Sequence, residues 1–188
     1  MRVYVIRHGE SETNLDKKWT GWLDVHLTDK GKDDARKAGE FLKQVSFEKI
    51  YTSDLCRAVE TAEIAIPNCS YERLPLLREI NVGTLANKPL SILTEEQRAH
   101  AVKWGYEYFG GESKDHFYNR ISQVMKMLET LDCETVAMFS HGGWLRGMLD
   151  TVVGTRLPGN KVCCNNCTIA IFEYTNEIWR LHSWINLS

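Results

Sequence analysis

Residues 3–10 read VYVIRHGE, and residues 136–143 read VAMFSHGG. Each stretch begins with a short run of β-branched, aromatic and other apolar residues, which is typical of a buried strand. Each run is followed by a histidine, His8 or His141, and then by a glycine. If the two strands are parallel neighbours, both imidazoles leave the sheet at the same edge and can face one ligand. The glycine after each histidine leaves the chain room to turn and lets a ligand approach the backbone.

The rest of the chain alternates between strand-like and helix-like patterns. This alternation predicts an α/β fold, a three-layer αβα sandwich with a mostly parallel sheet. The last two strands, joined by a turn at residues 176–177, predict a C-terminal antiparallel hairpin. A length of 188 residues suits one domain spanning residues 1–188. Strands are predicted at residues 2–7, 48–52, 71–74, 135–140, 168–174 and 178–185, and helices after Thr28, Ser53, Thr94, Ser113 and the 135–140 strand.

A less regular segment interrupts this alternation. Residues 78–90 lack periodicity and contain a glycine and a proline, so they are predicted to form a loop. Thr94 and Gln97 have the spacing of a capping box, which predicts a helix that runs to about Tyr108. We therefore expect residues 84–112 to form a helical, lid-like segment.

Composition and charge limit the possible partners. The formal net charge is −2, and no basic stripe with interleaved aromatic residues is present, so binding to DNA or RNA is not expected. No apolar run approaches the roughly 18 residues that cross a bilayer. The N-terminus enters the first strand without a signal-peptide pattern, which favours a cytoplasmic protein without a membrane partner. An oligomer is possible, but nothing in the sequence predicts one.

The cysteines and the remaining histidines do not predict a metal site. A chain of this size without an export signal does not need disulfides, so the six cysteines are expected to be reduced and structural. Residues 163–167 contain a C-x-x-C pair, but no second pair at matching spacing completes a zinc site. The scattered histidines share no ligand spacing and are interpreted as surface or structural residues; they are His26, His100, His116 and His182.

Two arginines indicate what the histidine pair binds. Arg7 precedes His8, and Arg57 lies one turn into the helix predicted to start at Ser53, where backbone N–H groups also favour anions. The planar guanidinium matches phosphate geometry bidentately. Taken alone, Arg57 is typical of a surface residue. Together with Arg7, His8 and His141, it predicts a phosphate site.

Several motifs, in order along the chain, resemble those of the histidine phosphatase superfamily, in its phosphoglycerate mutase-like branch. The resemblance covers nearly the whole chain and implies the same α/β fold. The matching blocks are RHGESETN at residues 7–14 with TGWLDVHLTDKG at 20–31, YTSDLCRAVETA at 51–62, LREINVG at 77–83, GGES at 110–113 and SHGG at 140–143.

The resemblance implies a role for each residue of the site. A neutral imidazole is a competent nucleophile, so His8 would form a phosphohistidine, with its other ring nitrogen donating to a carbonyl or carboxylate. Glu79 would donate a proton to the leaving group, with Glu10 as the alternative donor. No metal or other cofactor is expected. Arg7, Arg57 and a protonated His141 would hold the phosphoryl oxygens, and Asn14, Thr20, Gly21 and Gly142 would contact the phosphate or the substrate.

The same motifs leave the reaction open between hydrolysis and mutase chemistry. Asn14 and the Thr-Gly-Trp sequence at residues 20–22 resemble mutases, whereas the chain length and the sequence at 77–83 resemble phosphatases. Residues 84–87 read TLAN where many phosphatase relatives have Trp-Glu. We expect a phosphatase acting on a small phosphorylated metabolite, with a 2,3-bisphosphoglycerate-dependent phosphoglycerate mutase as the alternative. A non-catalytic phospho-ligand binding protein is the third possibility, although it would be expected to have lost His8, His141 or Glu79.

Overall fold

The computed structural model describes residues 1–157 and 161–187. Strand β1 (Arg2–Arg7) lies between two layers of helices, because its central residues are apolar on both faces. Val3 and Val5 pack into one hydrophobic cluster, and Tyr4 and Ile6 pack into another. This division follows from the strand geometry, in which successive side chains point to opposite faces. Burying each of the larger apolar side chains contributes about 1.5–3 kcal/mol.

The described residues form one six-stranded sheet and six α-helices. The strands after β1 are β2 (Lys49–Thr52), β3 (Glu72–Arg73), β4 (Thr135–Ser140), β5 (Ile169–Thr175) and β6 (Ile178–Ile185). The helices are α1 (Glu12–Leu15), α2 (Asp29–Leu42), α3 (Cys56–Ala65), α4 (Glu95–Trp104), α5 (Lys114–Glu129) and α6 (Gly142–Val153).

The strand order in the sheet is β3-β2-β4-β1-β5-β6. Strands β3, β2, β4 and β1 are parallel, whereas β5 is antiparallel to β1 and β6 is antiparallel to β5. Helices α2 and α3 contribute side chains to the cluster on one face, and α5 and α6 contribute to the cluster on the other. The predicted α/β fold with a C-terminal antiparallel hairpin is confirmed.

The register of the two central strands determines where the site lies. Arg7 at the end of β1 pairs with Ser140 at the end of β4. Because the strands are parallel, the next residue of each, His8 and His141, leaves the sheet at the same edge. This is the edge at which open α/β sheets bind ligands.

Gly9 has a different function from the one expected. A Cβ atom at Gly9 would lie 2.3 Å from the carbonyl oxygen of Gly31 in the first turn of α2. The hydroxyl of Thr28 caps that helix by accepting from the Gly31 N–H at 3.0 Å. The glycine after His8 therefore permits close packing of backbone on backbone.

Two helix boundaries differ from the prediction. Helix α3 begins at Cys56 with Leu55 as its N-cap, so the prediction that Ser53 caps it was wrong. Helix α4 is capped by Thr94 as predicted, but it ends at Trp104 rather than near Tyr108. The reason is Gly105, whose φ of 102° a helix cannot continue through.

The segment at residues 84–112 is only partly helical. Apart from α4, it contains short 3-10 turns, including Leu90–Ile92 and Glu107–Phe109. Its function as a lid remains a prediction. Within residues 1–157 and 161–187, no helix is long and apolar enough to pass through a bilayer.

Candidate active site

His8 is buried, and its contacts define its tautomer. Its Nδ1 lies 2.7 Å from the carbonyl oxygen of Gly9, which can only accept a hydrogen bond, so Nδ1 carries the proton. The lone pair of Nε2 then accepts from Nε of Arg57 at 3.3 Å. Burial, followed by the charges of Arg57 and Arg7, lowers the pKa of His8 well below its ordinary value. The imidazole is therefore neutral at neutral pH.

His141 lies beside His8, with the two ring centroids 5.2 Å apart. Its Nε2 is 2.9 Å from the hydroxyl of Ser53, which also accepts from the backbone N–H of Leu55 at 3.3 Å. Its Nδ1 is buried and has no hydrogen-bond partner among the described residues. Burial and the nearby Arg57 charge lower the pKa of His141, so it is neutral in the free protein. Its protonation in a phosphate complex remains a prediction.

Arg57 is fully buried, in contrast to the surface position expected from its residue type alone. Besides donating to His8, it donates to the carbonyl oxygens of Leu23 and Gly21, each at 2.9 Å. A guanidinium has five N–H groups, so donors remain for a ligand. Burial lowers the pKa of Arg57 to about 10, which still leaves it charged at neutral pH.

Arg7, which is half-buried, brings a second guanidinium to the same edge. It donates through one terminal nitrogen to the carbonyl oxygen of Cys164, while its Nε is buried without a partner among the described residues. A Cβ atom at Gly142 would lie 3.2 Å from this Nε, so Gly142 allows the arginine to approach the start of α6. Buried donors are rarely left unpaired. An anionic ligand would satisfy this one.

Both carboxylate oxygens of Glu79 are hydrogen-bonded to the backbone. Its two carboxylate oxygens accept from the backbone N–H groups of Gly143 and Ile80, each at 2.9 Å. A Cβ atom at Gly143 would lie 2.1 Å from one of these oxygens, so only glycine leaves space for the carboxylate. The alternative donor, Glu10, accepts from the Thr28 hydroxyl at 2.9 Å and is engaged at the start of α2.

A buried ion pair, which the sequence analysis missed, fixes the segment that carries Glu79. Arg120 donates to both carboxylate oxygens of Glu112, at 2.7 and 2.8 Å. The same guanidinium donates to the carbonyl oxygens of Leu76, Arg78 and Glu79, at 2.7, 3.0 and 3.2 Å. The available signal was a charged residue at helical spacing from the apolar residues Phe117 and Val124.

Asn14 and Thr20 lie near the site but are largely engaged with the protein. The side-chain oxygen of Asn14 accepts from Asn166, whose side chain also donates to the backbone carbonyl of His8, each at 3.1 Å. The hydroxyl of Thr20 is 2.6 Å from that of Thr13. Asn14 therefore supports His8 through Asn166, while Thr20 and Gly21 line the adjoining cavity.

This cavity has a volume of about 530 Å³ and includes Glu79 in its wall. Its wall combines aromatic and aliphatic side chains with four cationic ones. Two polar atoms at its edge, Nε of Arg146 and Nε1 of Trp19, are buried without partners among the described residues. The aromatic lining residues are Trp19, Tyr106, Phe117 and Tyr118, and the cationic ones are Lys18, Lys114, Arg146 and Arg156.

Comparison with known proteins identifies the family to which the sequence and the fold belong. A family model described as the histidine phosphatase superfamily (branch 1) matches residues 3–187. The chain belongs to the histidine phosphatase superfamily. A protein from Photorhabdus laumondii is named probable phosphoglycerate mutase GpmB. It is 31% identical to this chain over an alignment 196 residues long, which covers 98% of this chain and 90% of that protein.

Two solved structures illustrate the range of similar proteins. Phosphoglycerate mutase from Thermus thermophilus is 26% identical, with a TM-score of 0.77 and complete coverage (100%) of both chains. A mutant phosphoserine phosphatase from Entamoeba histolytica, in complex with phosphoserine, is 23% identical and has a TM-score of 0.88 over 99% of this chain and 97% of that one. The second likeness supports the fold alone. The family assignment, together with the relative named as a probable phosphoglycerate mutase, supports a phosphoryl-transfer enzyme.

Proposed function

We propose that the protein is a metal-independent phosphatase that hydrolyses a small phosphorylated metabolite through a phosphohistidine on His8. The observation that carries this proposal is the tautomer of His8. The Gly9 carbonyl holds the proton on Nδ1, so the lone pair of Nε2 faces the buried guanidinium of Arg57. A neutral nucleophile beside fixed positive charge is what attack on a phosphate dianion requires.

In the first step, the Nε2 lone pair attacks phosphorus and the bond between phosphorus and the ester oxygen breaks. Arg7, Arg57 and His141 stabilise the charge on the phosphoryl oxygens. The electron pair of the broken bond goes to the alcohol oxygen, which takes a proton from Glu79. The alcohol then leaves through the cavity.

In the second step, water attacks the phosphohistidine. The Glu79 carboxylate accepts a proton from this water, the bond from Nε2 to phosphorus breaks, and inorganic phosphate leaves. The lone pair returns to Nε2. Glu79 thus acts first as an acid and then as a base.

The size of the cavity favours hydrolysis over mutase chemistry. At about 530 Å³ it lies within the range of about 300–1,000 Å³ typical of pockets for larger organic ligands. A three-carbon phosphoglycerate would leave space for water, each molecule of which needs about 30 Å³. Water in this space would compete with a second hydroxyl for the phosphoryl group.

The mutase alternative is favoured by the relative from Photorhabdus laumondii, whose name describes that activity. Supplying 3-phosphoglycerate with catalytic 2,3-bisphosphoglycerate distinguishes the two reactions. We expect free phosphate without 2-phosphoglycerate. Accumulation of the isomer in place of phosphate would establish the mutase.

Assays with other phosphomonoesters test the metal requirement and the non-catalytic alternative. p-Nitrophenyl phosphate should be hydrolysed in the presence of EDTA, and a metal requirement would contradict metal-independent catalysis. Absence of turnover on any phosphomonoester, together with tight phosphate binding, would indicate a non-catalytic phospho-ligand binding protein.

A further inference from the structure

Three potential metal ligands meet at the outer side of the active site, although their spacing in the sequence did not predict a site. They are an imidazole nitrogen of His26, the Sγ of Cys56 and a carboxylate oxygen of Glu60, and these atoms lie within 4.8 Å of one another. We propose that these side chains form a Zn²⁺ site that joins the loop at residues 21–27 to helix α3.

The backbone already presents the ligands in a suitable arrangement. Cys56 and Glu60 are four residues apart on α3, so their side chains lie on one face in consecutive turns. His26 approaches from the loop, and its Nδ1 lies 2.5 Å from Oε1 of Glu60. Tetrahedral Zn²⁺ with bonds of about 2.0–2.3 Å places ligand atoms about 3.3–3.8 Å apart. The His26 and Glu60 atoms, 2.5 Å apart in the free protein, must separate to reach this spacing.

The donor atoms favour Zn²⁺ over Mg²⁺ and Ca²⁺. A thiolate and an imidazole favour Zn²⁺, whereas Mg²⁺ and Ca²⁺ prefer oxygen ligands alone. Binding replaces the thiol proton of Cys56, which goes to solvent, and breaks the contact between His26 and Glu60. A water molecule completes the coordination.

The surrounding contacts hold two of the ligands in place. The second carboxylate oxygen of Glu60 accepts from the backbone N–H of Leu27 at 2.9 Å. Asp24 accepts from the backbone N–H of Cys56 at 2.7 Å. These two backbone contacts reduce the entropy that binding has to remove. The hydrogen bond from the thiol to the carbonyl oxygen of Val25 at 2.9 Å is lost when binding removes the thiol proton.

The position of the site suggests its effect. The loop at 21–27 supplies the Gly21 and Leu23 carbonyl oxygens that hold Arg57, and Arg57 follows Cys56 in α3. A metal bound to both elements fixes this loop against the helix. Zn²⁺ therefore stabilises the loop that holds Arg57, without contacting the phosphate.

Metal binding is tested on the reduced full-length protein by two measurements that do not depend on activity. The first is competition for Zn²⁺ against a chromophoric chelator. The second is the thiolate-to-metal absorption of Co²⁺ substituted for Zn²⁺. We expect Cys56→Ser to remove the Co²⁺ absorption. His26→Gln and Glu60→Gln should each weaken Zn²⁺ binding by more than about tenfold, because loss of a partner that only supports a ligand already costs about 10–100-fold.

Matched variants control for other thiols and for changes in charge. Glu63→Gln makes the same charge change on α3, Cys69→Ser removes another partly buried thiol, and Cys163→Ser removes an exposed one. All three should bind Zn²⁺ as the unaltered protein does. Unchanged binding in His26→Gln and Glu60→Gln, or loss of binding in Cys163→Ser instead, would overturn the proposal.

Amide hydrogen exchange separately measures whether the metal fixes the loop at residues 21–27 against α3. Zn²⁺ should slow exchange at residues 21–27 in the unaltered protein and in Glu63→Gln, but not in Glu60→Gln. Equal slowing in both glutamine variants would overturn the assignment of Glu60. Because these measurements concern binding alone, their failure would leave the proposed phosphatase reaction unaffected.

Discussion

Nε of Arg57 donates a hydrogen bond to Nε2 of His8 at 3.3 Å, so the nitrogen that would attack phosphorus is already paired in the free protein. In the proposed reaction, an incoming phosphate must take over this guanidinium donor before the lone pair can attack. The exchange couples phosphate binding to release of the nucleophile. It also positions the guanidinium beside the phosphoryl group at the moment of transfer.

Replacing Arg57 by lysine should therefore reduce kcat/KM by about 10²–10³-fold, the loss typical of one transition-state donor. Lysine keeps the positive charge but cannot bond simultaneously to His8, Gly21 and Leu23. Steady-state kinetics with p-nitrophenyl phosphate measures the effect. Arg36→Lys, an exposed change on α2, should leave kcat/KM unaltered. A loss below tenfold for Arg57→Lys would contradict the function given to the guanidinium.

Gly143→Ala should displace Glu79, because the added Cβ would lie 2.1 Å from its carboxylate oxygen. The carboxylate is at the end of a flexible side chain, so we expect a small change in Tm but a large loss of kcat for substrates with poor leaving groups. Combining Gly143→Ala with Glu79→Gln should cost no more than Glu79→Gln alone. Additive losses would show that Gly143 acts independently of Glu79.

Breaking the pair between Glu112 and Arg120 should destabilise the fold. Burial disfavours the charged carboxylate, but its bonds to Arg120 lower the pKa of Glu112 overall, so both partners are charged at neutral pH. Glu112→Gln leaves the Arg120 charge without its partner, and we expect the free energy of unfolding to fall by about 3–5 kcal/mol. Urea unfolding measures this change. Asp115→Asn, which breaks the exposed contact with Arg156, should cost about 0–1 kcal/mol.

Acid should destabilise the protein below the ordinary histidine pKa of 6.5. Burial lowers the pKa of His8 and of His141 in the folded state, so the unfolded chain binds more protons than the native one in this window. The free energy of unfolding should fall with decreasing pH by about 1.4 kcal/mol per pH unit for each histidine. Urea titrations at several pH values measure the slope. His141→Asn should make the slope shallower, and an unchanged slope would contradict the account.

Much of the fold could be predicted from the sequence because local patterns and tertiary structure agree there. The alternation of strand and helix patterns predicted the three layers, and the apolar runs before His8 and His141 predicted buried strands. One departure involves a tertiary contact that no local pattern records. Ser53 is followed by helix-forming residues, but its hydroxyl bonds to His141 across the sheet edge. Gly105 ends α4 through its φ of 102° despite the helical pattern beyond it.

The structure brings the predicted histidines, arginines and Glu79 to one edge of the sheet, but several contacts between them could not be anticipated. Glycine after His8 suggested space for a ligand, whereas Gly9 packs against Gly31. Arg120 lies within an apolar stripe and gave no local indication that it binds the carbonyl oxygen of Glu79. The cluster of His26, Cys56 and Glu60 joins two segments whose distance only the fold determines.

The most direct test of the central claim is to capture the phosphorylated protein. Mixing the protein with a ³²P-labelled phosphomonoester and quenching in alkali within the first turnover should yield one phosphoryl group per chain. The label should be lost in acid, as expected for a phosphohistidine, and peptide mapping should locate it on His8. His8→Ala should show no label, whereas His100→Ala should label normally. Turnover without a covalent phosphoryl group, or a label on another residue, would contradict the account.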